Sequence, residues 1–290
     1  LDDYGDEERF LYGLVAVVSD RNLSIAKEEL LIASGHPDND TLNRLERLTR
    51  RGAIVEREGR FTTRHREIAR VLVERFAAER TLDALIGPIV FAVASTVSQS
   101  GHRNSREWRI LKRLLSHRHL ARVVNDPPRV RGIFERVETL LGWDYHMWLQ
   151  RGAFEVQQGD LALAENYLGQ AFALNDEDSL VVTEYAHLGF RIALENPRSP
   201  KAAGRISDAT EVLETQIREQ GDRDFYPYHV LGSQGLAWSR RAGMGREERR
   251  LFLKRILAHV EEGVLRHPHQ TDLADLQRDL KREVLLTHVV

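Results

Sequence analysis

Between Asp6 and Ser19 the apolar side chains Phe10, Leu11, Leu14, Val15 and Val18 recur every three or four positions, the period that lines one face of an α-helix. The same period predicts a short amphipathic helix from Ser24 to Ser34, closed by Gly35. It predicts a third from Thr41 to about Arg51, with Leu42, Leu45 and Leu48 inward and Gly52 as its stop. From Ala53 to Thr63 the pattern changes to alternation about Glu58-Gly59, the signature of a β-hairpin. Helical spacing returns from about Arg66 to Arg80 at Ile68, Ala69, Leu72, Val73 and Phe76. Three helices, a two-stranded wing and a closing helix predict a winged helix over residues 1–82.

Residues 83–144 read as a helical connector. Their longest uncharged stretch, Ala84 to Gly101, contains Ser95, Thr96, Ser98, Gln99 and Ser100, too polar for a membrane span; it predicts a buried helix starting near Pro88. Asp126-Pro127-Pro128 ends one connector helix and starts the next. From Tyr145 the spacing becomes Trp148-x3-Gly152-x6-Gly159-x4-Ala164-x6-Ala171, that of a tetratricopeptide repeat, in which small residues let two antiparallel helices approach closely. A degenerate second pair follows, from about Ser179 to Glu195 and Ala202 to Gln220. A third runs from Pro227 to Ala242 and Arg246 to His267, and a capping helix spans Asp272 to about Thr287. The fold class expected is therefore all-α: a winged helix with a small hairpin wing, then a repeat-like α-solenoid over residues 145–290.

Charge adds little globally. The 290 residues carry 42 Lys and Arg against 44 Asp and Glu, a net charge of −2, which gives no whole-chain case for nucleic acid or an anionic membrane. Residues 1–80 hold 14 basic and 16 acidic side chains, which argues against DNA even though the third helix would expose Asn43, Arg44, Arg47, Arg50 and Arg51. The one basic region lies between residues 101 and 131, with Arg103, Arg106, Arg109, Lys112 and Arg113 at its head. It reads either as an electropositive surface for an acidic partner or as a solvated helix face. There are no cysteines, which fits a reducing, cytoplasmic setting. The opening Leu1-Asp2-Asp3, with methionine only at 147 and 244, reads as an excerpt of a longer chain.

No motif for catalysis emerges. There is no Gly-x-x-x-x-Gly-Lys-Ser/Thr loop and no Gly-x-Ser-x-Gly elbow, and the pairs His117/His119 and His267/His269 have a spacing that splays on a helix, so no metal site is expected. The aromatics Trp148, Tyr185, Tyr228 and Trp238 are candidates for partner contacts on the repeat surface, and core positions are the alternative reading for each.

The order of elements, ending in the wing and Arg64-His65-Arg66-Glu67-Ile68-Ala69, resembles the winged-helix domain of signal-transduction (STAND) NTPases. In that family a histidine at the start of the last helix of the domain, often within Met-His-Asp, contacts nucleotide phosphate. The resemblance places His65 there, with Arg64 beside it, although Arg64 and Arg66 stand where the family motif has Met and Asp. With the repeats included, the chain resembles the C-terminal half of a bacterial antiviral-defence member. The resemblance implies a sensor segment: no cofactor of its own, ATP or ADP in an upstream NTPase domain, and a foreign, for instance viral, protein on the repeats as trigger. Oligomerisation would follow activation. A winged-helix transcriptional regulator and a repeat scaffold or adaptor are the alternatives.

Overall fold

A computed structural model describes residues 4–287, and the chain divides into two compact units, residues 1–154 and 155–290. It is mostly helical, with one small sheet.

In the first unit, α1 (Asp6–Asp20) is the central helix. Its sequence looks one-sided, yet Leu11 through Ser19 are all buried, because helices pack on it from several directions: α2 (Lys27–Ser34), α3 (Asn39–Arg50), α4 (Arg66–Ala78) and α5 (Asp83–Thr96). Gly13 makes the tightest of these approaches possible, since a β-carbon there would lie 2.9 Å from Leu85 Cδ1 and 3.0 Å from the Phe76 ring. The sheet has the order β1-β3-β2, all antiparallel, from β1 (Ile25–Ala26), β2 (Ile54–Arg57) and β3 (Arg60–Thr63). β2 and β3 form the expected hairpin around Glu58 and Gly59, both at positive φ (52° and 72°), the conformation of a two-residue turn whose twist matches the strands.

Two expectations shift. The second helix starts at Lys27, not Ser24, because Ile25 and Ala26 are taken up by pairing with Phe61 and Arg60. The helix expected from Pro88 begins at Asp83, so Pro88 lies inside it. The first turn is closed instead by Leu82, whose carbonyl accepts from Leu85 and Ile86, and by Thr81, whose carbonyl accepts from Ala84. The proline then removes one later backbone donor. Beyond α5 the unit continues with α6 (Arg106–Leu114), α7 (His117–Val123) and α8 (Pro127–Leu141), with Asp126 capping α8 at Arg129 N (3.3 Å). The region expected as a connector packs directly on the first eighty residues, since α5 touches α1, α2, α6 and α8. α9 (Tyr145–Gln158) spans the boundary between the units.

The second unit runs α10 (Leu161–Leu174), α11 (Ser179–Glu195), α12 (Ala202–Gln220), α13 (Tyr226–Arg241), α14 (Arg246–Arg266) and α15 (Thr271–Leu286). Each packs on the next, and α11 also packs on α13 and α13 on α15. Its core gathers Phe190, Leu213, Ile217, Tyr228, Leu231, Trp238, Ile256 and Leu280.

Candidate functional site

The side chains singled out from the sequence fall into three environments. Tyr228 is fully buried and Trp238 is 3% exposed, so neither presents a face to a partner. Tyr228 fills the place left by Gly263, where a β-carbon would come within 2.8 Å of its ring, and its ring meets that of His267 edge-on. Aromatics at helical spacing in a stack are core residues here for an ordinary reason: they fill the interval between helices that small residues bring together. Trp148 is half-buried against the core of the first unit, its Nε1 donating to Gly142 O (2.9 Å) and the Arg151 guanidinium lying 5.8 Å from its ring centre. Of the four aromatics, Tyr185 alone is exposed, at 40%.

His65 and Arg64 are exposed. His65 is the N-cap of α4 and makes no side-chain cap, while its carbonyl accepts from Ala69 N and Thr63 Oγ1. The basic residues separate further. Arg106 is not a surface residue: it donates to Ser24 O (2.8 Å), to both oxygens of Glu29 (2.9 and 2.5 Å) and to Glu107 (2.7 Å). Burial pulls its pKa down, but Glu29 and Glu107 outweigh that and hold it above the usual arginine value. Arg103 lies over the Tyr145 ring (5.0 Å). Arg109, Lys112 and Arg113 do reach solvent, on one side of α6.

The clearest ligand-shaped surface of the second unit lies around Tyr185. α11 contributes Val182, Tyr185, Ala186 and Gly189, and α12 contributes Arg205, Asp208, Ala209, Val212 and Gln216, each set spaced to share one helix face. Phe172 and Asp176 close one end, and the groove has a volume of about 510 Å³, within the usual range for small binding sites. α11 and α12 approach closely because Gly189 faces Ala209, where a β-carbon would be 3.3 Å from that of the alanine. The Phe172 and Tyr185 rings sit 5.2 Å apart at 30°, and Phe172, Tyr185 and Val212 are all exposed large apolar side chains.

The polar part of the groove is equally specific. Gln216 Oε1 is buried and without a hydrogen-bond partner, a state that costs stability unless a donor from outside meets it. Arg205 is paired with Glu165 (3.4 Å), leaving Asp176 and Asp208 as the groove's remaining charges. The arrangement can therefore hold an apolar side chain against two aromatic rings while offering acceptors to a neighbouring donor. Sequence reasoning found Tyr185 but not Phe172 or Gln216. Phe172 carries no signal beyond one apolar residue at the end of an amphipathic helix, and a buried unpaired acceptor is visible only once helices are packed.

Among the described residues no group of three His, Asp or Glu side chains could hold a metal ion, and no helix is long and apolar enough to cross a membrane. Compared with known proteins, the chain matches no protein-family model, no curated protein and no solved structure.

Proposed function

We propose that the chain is a binding and regulatory segment whose second unit recognises an exposed stretch of another protein in the groove between α11 and α12. The observation that carries this reading is the exposed Phe172–Tyr185 pair set beside the unpartnered Gln216 Oε1: an apolar anchor point and an unmet acceptor in one concave surface. The ligand that fits is an extended peptide with a large apolar side chain followed by a hydrogen-bond donor, with a lysine or arginine suited to Asp176 and Asp208.

The architecture fits the same reading. In residues 155–290 each helix packs on the next and on the next but one along α11, α13 and α15, the pattern of a tetratricopeptide-like stack. In residues 1–82 a short β1 pairs with the hairpin behind three helices, as in a winged helix. With the resemblance to signal-transduction NTPases, this supports a sensor role: peptide binding on the stack biases the winged helix away from a resting, nucleotide-bound upstream domain. Such a switch needs differential affinity for two states, so binding must be tighter to the activated form of the parent protein.

The test is selection from a displayed random-peptide library on the full chain, repeated with Tyr185→Ser and Phe172→Ser. Enrichment of apolar-basic peptides by the wild type, lost in both variants at unchanged melting temperature, is the expected result. Equal enrichment by all three proteins would place recognition elsewhere.

A further inference from the structure

We infer that the groove between α11 and α12 takes a tryptophan as its anchor, the indole packing on Phe172 and Tyr185 while its N–H donates to Gln216 Oε1. The inference rests on the peptide-binding reading of this groove and assigns the apolar group and the hydrogen-bond donor of the ligand to one side chain.

The register of the two helices carries the assignment. α11 and α12 pack on one another, are joined by the short segment 196–201 and run antiparallel. Gly189 stands level with Ala209, where a β-carbon on the glycine would be 3.3 Å from that of the alanine. Counting back along α11 and forward along α12 from that contact puts Ala186 opposite Val212 and Val182 opposite Gln216. Tyr185 lies one helical turn from Val182, so its ring and the unmet acceptor are separated along the groove by about 4.5 Å, at about 1.5 Å per helical residue.

An extended peptide lying along the groove cannot meet both with two different side chains. Successive side chains point to opposite faces, and those that share a face are about 6.6 Å apart. The separation is instead that of a ring from a donor on the same side chain. Phenylalanine and leucine supply the apolar part and leave Oε1 buried and unmet. Tyrosine brings a donor together with lone pairs that need donors in turn, and Asp176, at the same end of the groove as Val182, is a further acceptor. The indole N–H is a donor only, carried on a large aromatic surface.

The rest of the groove suits such an anchor. The Phe172 and Tyr185 rings are both open to solvent and 5.2 Å apart, so a third ring that enters meets two, by offset stacking or edge to face. Gln216 is half-buried with Oε1 shut off from water, and the last torsion of a glutamine is broad, so a small turn of the amide brings Oε1 to a donor that enters the groove. Towards the other end Asp208 lies opposite Phe190, about 7.5 Å along the groove from Tyr185. That is near the same-face spacing of an extended chain, so a lysine or arginine two positions from the tryptophan reaches it.

The experiment titrates the full, isotope-labelled chain by NMR with peptides acetyl-Lys-Gly-X-Gly-Lys-amide, where X is tryptophan, tryptophan methylated on the indole nitrogen, tyrosine, phenylalanine or leucine. Methylation keeps the ring and removes the donor. The tryptophan peptide is expected to bind about tenfold more tightly than the methylated, phenylalanine and leucine peptides. In Gln216→Leu the tryptophan and methylated peptides should converge, and in Tyr185→Ser all of them should weaken. Equal affinity of the tryptophan peptide and its methylated form, with binding still lost in Tyr185→Ser, would keep the groove as the site and overturn the tryptophan assignment, the donor then being the peptide backbone. Tightest binding by phenylalanine, tyrosine or leucine would overturn it in the same way. Binding of no probe, or binding indifferent to Tyr185→Ser, would overturn the peptide-binding reading together with this inference.

Discussion

Arg106 on α6 forms a two-point ion pair with Glu29 in the first turn of α2, 77 residues away, with side chains only 11% and 2% exposed. Glu29 also accepts from Ala26 N (2.8 Å), the half of a capping box that an alanine N-cap permits, and from Thr96 Oγ1 (3.4 Å) on α5. One carboxylate thus joins the start of α2, the end of α5 and the start of α6. This is how the stretch expected as a connector becomes part of the first unit.

Removing one partner of this pair should cost far more than removing a surface ion pair. Arg106→Ala leaves Glu29 buried without its cation and is expected to destabilise the first unit by about 3–5 kcal/mol, whereas Arg50→Ala, which breaks an exposed pair with Glu46 on α3, should cost under about 1 kcal/mol. Arg106→Lys falls between them, because an ammonium cannot reproduce the planar fork that reaches Glu29 and Ser24 together. Denaturant unfolding of the three variants measures the order, and equal losses for Arg106→Ala and Arg50→Ala would show the pair to be unimportant.

The first unit should also respond to acid through His119. Burial first, then Arg21 and Arg122, push its folded pKa down to about 3, below the unfolded value of 6.5, so the unfolded chain binds the additional proton between those pH values. Stability from this residue is complete above about pH 6.5 and is lost as pH falls towards 3, to a total on the order of a few kcal/mol. The melting temperature of the wild type should therefore drop more steeply from pH 7 to pH 4 than that of His119→Gln, which has no such proton to gain. Parallel curves for the two proteins would contradict the assignment.

Two glycines in helices of the second unit should respond oppositely to alanine. At Gly169 on α10 a β-carbon meets nothing within 4 Å, so Gly169→Ala should stabilise by about 1 kcal/mol through helix propensity alone. At Gly263 on α14 it would come within 2.8 Å of Tyr228, a fully buried ring that cannot retreat. There overpacking of about 1–3 kcal/mol outweighs the propensity gain. Thermal melts that rise for Gly169→Ala and fall for Gly263→Ala are expected; a rise in both would mean that the Tyr228 packing is looser than described.

Much of the secondary structure was legible because it depends on local order. Periods of three to four marked the helices, the Glu58-Gly59 turn marked the hairpin, and Asp126-Pro127-Pro128 marked the start of α8. What was not legible depends on partners distant in sequence. Ile25 and Ala26 read as helix until Phe61 and Arg60 pair with them. Arg106 read as part of a surface patch because nothing near it in sequence reveals Glu29. Tyr228 and Tyr185 look alike as helix aromatics, and only the position of Gly263 beside one and of solvent beside the other separates core from groove.

The most direct test of the proposed function uses a single synthetic peptide taken from the library selection, labelled at one end and titrated with the full chain in fluorescence anisotropy. Saturable binding that weakens about tenfold or more in Tyr185→Ser, and that also weakens in Gln216→Leu, where the unmet acceptor is removed, is what the groove predicts. Unchanged affinity in both variants, at unchanged stability, would contradict it.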